Sequence, residues 1–217
     1  MIDSPLRTIP AFHRVSRGLD IAGRRVDVAF DEAADGVSAS AAAARLAEDL
    51  VAARLGCERR QVRVAALMPS GRPVATVRGR ETTVVVSVSH GGGLAGAAVC
   101  ATGGVGIDIV DAAEAGRRLD AWFTSDEADI PPGDEDQPRA RAWAAKEAAF
   151  KAARLDEGFR PLAVAIEHRG ADGFRWTVRG DHRRVGGLGV FTTVGGTVVA
   201  VAVASAPEKF EHQSWSE

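Results

Sequence analysis

Hydrophobic and polar positions divide the chain into segments of two different periods. From about residue 40 to residue 55 apolar residues recur at helical spacing, with Ser38 or Ser40 as the cap and Gly56 as the stop, which predicts a helix. Strand-like runs follow at 62–67, 84–88 and 94–100, punctuated by Pro69-Ser70-Gly71-Arg72-Pro73 and by Gly91-Gly92-Gly93. The second half repeats this grammar. A helix is predicted over 139–155, entered after Pro138, then strands over 162–168, 174–179, 188–194 and 197–204. Residues 1–37, with arginines at 7, 14, 17, 24 and 25, show little periodicity, and the tail from Pro207 is polar.

The two halves also match locally. Ala52-Ala53-Arg54-Leu55 recurs as Ala152-Ala153-Arg154-Leu155, Arg60 falls opposite Arg160, and Gly93-Leu94-Ala95 aligns with Gly196-Thr197-Val198. Helix, strands and Gly-turn-strand in the same order predict a duplication: an α+β pseudo-dimer of two similar lobes, 1–103 and 104–206, followed by a polar tail, 207–217. A cleft between such lobes is a natural ligand site.

Composition narrows the class. The 217 residues are 46% apolar and 26% charged, the mix of a soluble globular chain and not of a disordered, collagenous or coiled-coil one. Lys and Arg total 27 against 29 Asp and Glu, a net charge of -2, so no nucleic-acid partner is expected. The longest Val/Ala run, 198–204, is far short of the ~20 residues that span a bilayer, and the N-terminus has no export-type apolar region. No membrane partner is expected. Cys57 and Cys100 match no metal or redox spacing and point to a reducing cytoplasm.

Three features carry candidate chemistry. On the second helix Trp143, Lys146, Glu147, Phe150, Lys151 and Arg154 form one stripe, opposite a face of alanines. The stripe reads either as a solvated face with a Glu147–Lys151 pair or as a rigid platform for a metal and a phosphate. In Gly104-Val105-Gly106-Ile107-Asp108-Ile109-Val110-Asp111, Asp108 stands among apolar neighbours, as a strand-end turn residue or as a carboxylate that needs a cation. Asp108 and Glu147 together make the two carboxylates that Mg²⁺ commonly takes alongside substrate phosphates. Val86-Ser87-Val88-Ser89-His90 before three glycines reads as a hairpin with a surface histidine or as a phosphate pocket. The second half has Thr192-Thr193-Val194 at that place, so any such site occurs once per chain.

Taken in order, Gly71-Arg72-Pro73, 86–90, 106–110, Phe123-Thr124-x-x-Glu127 and Trp143-Ala-Ala-Lys146-Glu147-Ala-Ala-Phe-Lys151-Ala152 resemble the motifs of the 4′-phosphopantetheinyl transferases. The family's pattern is G-K/R-P, S-x-S-H, G-I/V-D, F-T/S-x-x-E and W-x-x-K-E-x-x-x-K-A, and the matches span residues 71 to 152. Length and duplication resemble the two-lobed, monomeric class that activates peptide and polyketide synthases. The resemblance implies transfer of the 4′-phosphopantetheine group of coenzyme A to a serine of an apo acyl or peptidyl carrier protein, with release of 3′,5′-ADP. It implies that Asp108 and Glu147 bind Mg²⁺, for which Mn²⁺ could stand on two carboxylates alone. Lys151 and Lys146 would neutralise the pyrophosphate. Arg72, Ser89 and His90 would hold the nucleotide end with its 3′-phosphate, assisted by Arg45. Glu147, directly or through a bound water, would be the base.

The chain departs from the pattern at Val110, where the two-lobed class commonly has a Glu that supplies a further metal ligand. Asp111 is adjacent but points to the other face of a strand. That departure keeps open a second reading, a coenzyme A- or carrier-binding module that has lost transfer. For an acidic carrier protein, the N-terminal arginines, Arg117-Arg118 and Arg183-Arg184 are candidate docking groups, with Trp122 and Phe123 as candidate apolar contacts.

Overall fold

A computed structural model describes residues 15–32, 36–68, 70–115, 137–155, 157–181, 183–194 and 196–205. The first helix, α1 (Ala39–Leu55), begins where the capping pattern predicts. The Ser38 side chain accepts the Ala41 amide hydrogen at 3.2 Å, and the helix stops at Gly56, whose φ of 63° is left-handed. Strands β1 (Val15–Ile21) and β2 (Arg24–Glu32) precede it. After it come β3 (Val62–Leu67), β4 (Arg72–Val77), β5 (Arg80–Gly91) and β6 (Leu94–Cys100). These six form one antiparallel sheet in the order β1-β2-β6-β5-β4-β3.

The second sheet is also antiparallel. It contains β7 (Val105–Asp111), β8 (Val164–Arg169), β9 (Gly173–Arg179), β10 (Arg184–Val194) and β11 (Thr197–Ala204), in the order β7-β11-β10-β9-β8. A four-residue helix, α2 (Ala112–Ala115), and the long α3 (Gln137–Ala153) lie between β7 and β8 in sequence. Placed side by side, β2-α1-β3-β4-β5-β6 and β7-α3-β8-β9-β10-β11 have the same element order and the same strand order. The fold is α+β with two similar lobes, and β1 is an extra edge strand on the first.

Topology, not local identity, carries the duplication. Arg54 lies within the last turn of α1, whereas α3 has already ended when the chain reaches Arg154. It is Arg154, with φ of 50°, that takes the left-handed position of Gly56. The Ala-Ala-Arg-Leu identity is therefore out of structural register, a coincidence between two alanine-rich helices. The hairpin equivalence stands: Gly91 pairs with Leu94 in one sheet, and Val194 pairs with Thr197 in the other.

Burial follows the alternation of the strands. Val26, Val28 and Phe30 of β2 share one cluster with Val105, Ile107 and Ile109 of β7, so the sheets meet through these faces. The opposite faces carry α1, over Ala29, Ala97 and Val99, and α3, over Ala200, Ala202 and Phe174. Alanines 144, 145, 148, 149 and 152 are all buried, so the alanine face is the one that packs. It lies close against β7, where a Cβ on Gly106 would be 1.9 Å from the Ala148 carbonyl oxygen. Gly106→Ala is therefore expected to push α3 off the sheet and cost about 3 kcal/mol, measured by urea unfolding. Among the described residues no helix is long and apolar enough to cross a membrane.

Candidate active site

Because odd-numbered residues of β7 enter the core between the sheets, Asp108 faces α3. It is only 4% exposed. Glu147 and Lys151, one turn apart on α3, meet it there. Lys151 Nζ donates to Asp108 Oδ1 at 2.6 Å and to the Ile107 carbonyl at 3.1 Å, and lies 3.6 Å from Glu147 Oε2. One ammonium thus sits between two carboxylates. Burial first, and then the charge of Asp108, raise the Glu147 pKa above its ordinary 4.5, against the opposing pull of Lys151.

The Ser87-x-Ser89 spacing has a specific use. Both hydroxyls lie on one face of β5, and they accept the outward amides of the edge strand β7: Ile107 N–H to Ser87 Oγ at 3.0 Å and Ile109 N–H to Ser89 Oγ at 3.2 Å. Ser89 in turn donates to Asp108 Oδ1 at 2.9 Å. The first lobe therefore fixes the carboxylate that the second lobe presents. The role of Ser87 is the one that motif reading missed, although its period-two relation to Ser89 was visible. His90, one residue on, is exposed, and its Nε2 is 3.0 Å from the hydroxyl of Ser40 in the first turn of α1.

Two clefts meet at Glu147 and Lys151. The smaller, about 470 Å³, is polar and is lined by Ser40, Ser89, His90, Asp108 and Trp143. The larger, about 920 Å³, is lined by Leu67, Met68, Arg72, Pro73, Phe150 and Phe159 among others. Arg72 and the Ser89–His90 pair, grouped by motif at one nucleotide end, therefore line different clefts. Arg72 Nη2 donates to the Leu155 carbonyl at 2.9 Å. Trp143 and Phe150 pack on Phe159 with centroids 5.5 and 5.2 Å apart, forming an aromatic wall.

Two residues assigned to the substrate by sequence are elsewhere. Lys146 is fully buried, with Nζ donating to the carbonyls of Pro161 at 3.0 Å and Val164 at 2.8 Å. It fastens the turn that follows Phe159 and does not line either cleft. Arg45 lines a separate depression on the outer side of α1, with Arg59, Arg60 and Arg63. Val110 is half-buried and lines the smaller cleft beside Asp108. Asp111 also borders that cleft, and its Oδ1 accepts the Ala113 amide at the start of α2. Among the described residues no three His, Cys, Asp or Glu side chains cluster as a metal site. Arg183 donates to the Arg154 carbonyl at 2.9 Å, which ties it to the end of α3. Phe123, Thr124, Glu127, Trp122, Arg117, Arg118 and the arginines at 7 and 14 lie outside the described residues.

Residues 104–185 match the family model of the 4′-phosphopantetheinyl transferase superfamily. The match contains Asp108, Glu147 and Lys151 and stops short of the first-lobe residues Arg72, Ser89 and His90. No curated protein matches the chain significantly.

Proposed function

Because residues 104–185 match the family model of the 4′-phosphopantetheinyl transferase superfamily, we propose that this protein transfers the phosphopantetheine arm of coenzyme A to a serine of an apo acyl or peptidyl carrier protein. The observation that carries the reading is the Asp108–Lys151–Glu147 group at the junction of two clefts, with Ser89 reaching it from the other lobe. Phosphoryl transfer asks mainly for positioning and charge neutralisation, and this group supplies both.

Asp108 and Glu147 fit a Mg²⁺ ion. They are two adjacent carboxylates that already share one cation, and burial together with the charge of Asp108 disfavours the Glu147 carboxylate unless a further cation is near. Substrate phosphates and water would complete the shell. When bound there, the metal neutralises charge on the diphosphate oxygens. The remaining chemistry falls to the chain. Lys151, whose ammonium lies where the two clefts meet, neutralises charge on the diphosphate. Glu147 accepts the proton of the carrier serine, whose oxygen bonds to the phosphorus bearing pantetheine while the bond from that phosphorus to the ADP oxygen breaks. Ser89 and His90 hold one part of the nucleotide in the polar cleft, and Arg72 another in the larger one. The duplication, divided near residue 103, puts the whole cleft in one chain, so a monomer suffices.

Chromatographic detection of 3′,5′-ADP tests this reading. Release should require coenzyme A, an apo carrier protein and a divalent cation, and should stop with EDTA. Val110 favours a second reading, a binding module without transfer, which predicts coenzyme A binding with no ADP under any condition. Because Val110 lines the cleft beside Asp108, Val110→Glu is expected to tighten Mg²⁺ about tenfold in calorimetry. An unchanged affinity would contradict the placement of the ion at Asp108.

A further inference from the structure

Arg154 occupies a backbone position that glycine fills in the first lobe. It follows the last residue of α3 with φ of 50°, as Gly56 follows α1 with φ of 63°. A side chain there crowds its own backbone, which is why glycine dominates such helix ends. Among the described residues the other non-glycine residues with positive φ are Ala22 and Arg78. Both precede a glycine in a two-residue hairpin turn, whose geometry requires that conformation. Arg154 satisfies no such turn. The end of the helix is held by Arg183, whose Nη2 donates to the carbonyls of Arg154 at 2.9 Å and Ala153 at 3.5 Å.

The half-buried Arg154 lines the larger cleft just past the end of α3, three residues beyond Lys151, and Arg72 lines the same cleft. Glycine would relieve the backbone and leave that cleft one cation poorer. Strain kept at a cleft in this way points to use. We propose that Arg154 is a substrate-binding residue whose guanidinium holds a phosphate of the coenzyme A nucleotide, the left-handed turn serving to aim it into the cleft. This rests on the phosphopantetheine-transfer reading.

Calorimetry on the full chain with coenzyme A and with 3′-dephospho-coenzyme A tests it, using Arg154→Gly and Arg154→Asn, both of which suit the left-handed conformation without a charge. Each variant should remain folded and bind coenzyme A about tenfold more weakly, the weight of one charge-assisted hydrogen bond. Weakening with both ligands supports a contact to the diphosphate, and weakening with coenzyme A alone supports one to the 3′-phosphate. Unchanged affinity for both overturns the proposal. Wild-type protein that binds coenzyme A normally but releases no 3′,5′-ADP would overturn the transfer reading and leave the Arg154 contact standing. Protein that binds neither ligand would overturn both.

Discussion

Glu147→Gln is expected to abolish transfer and, in the same protein without metal, to raise thermal stability at neutral pH. The two effects share one cause. Burial and the charge of Asp108 raise the Glu147 pKa above 4.5, so the folded state disfavours the carboxylate that the unfolded chain carries freely. Between the unfolded and folded pKa values the folded protein holds the proton more often. Stability therefore falls as pH rises through that window and stays lower above it. Glutamine removes the ionisation, so its advantage should be present at neutral pH and vanish below the ordinary carboxylate range. Activity should drop by about 10²- to 10⁴-fold, the scale of a lost general base. Melting curves at two pH values without metal and a transfer assay with Mg²⁺ check both points, and a lower melting temperature for Glu147→Gln at neutral pH would contradict the electrostatic account.

The second large effect separates two lysines of one helix. Lys146→Ala removes a buried ammonium, leaves two backbone carbonyls without it and opens a cavity, so a loss of about 3–5 kcal/mol is expected in urea unfolding. Lys151→Ala, on the cleft side, should lose transfer, and its stability cost should come from the Asp108 and Glu147 carboxylates left without their shared cation. Lys146→Met, which refills most of the volume, should fall between wild type and alanine in stability. A stable Lys146→Ala protein with only weakened coenzyme A binding would restore the assignment of Lys146 to the substrate.

Lys146 also marks where sequence reasoning runs out. A helical wheel places it at the rim of the charged stripe, but the wheel cannot know that the turn at Pro161–Ala163 folds over that rim and offers its carbonyls. Ser38 and Gly56, by contrast, define α1 by local chemistry alone, and both act as read. The strands β1 and β2 lie in the stretch that showed little periodicity, because small Ala29 is buried between Val28 and Phe30 and blurs the alternation. Strand β4 was hidden by its own turn residues, Arg72 and Pro73 opening a strand just after a Gly71 turn. At the site, the isolation of Asp108 in a β-branched run and the one-turn spacing of Glu147 and Lys151 were legible. What no local pattern held was the approach of the two lobes, which makes Ser87 and Ser89 partners of β7 and splits Arg72 from His90.

The most direct test of the central claim is intact-protein mass spectrometry of apo carrier proteins incubated with this protein, coenzyme A and Mg²⁺. The account predicts a mass gain of one phosphopantetheine on the carrier, localised to a serine, with wild-type protein and not with Glu147→Gln. A carrier panel that gains nothing while the protein is folded and binds coenzyme A would contradict it.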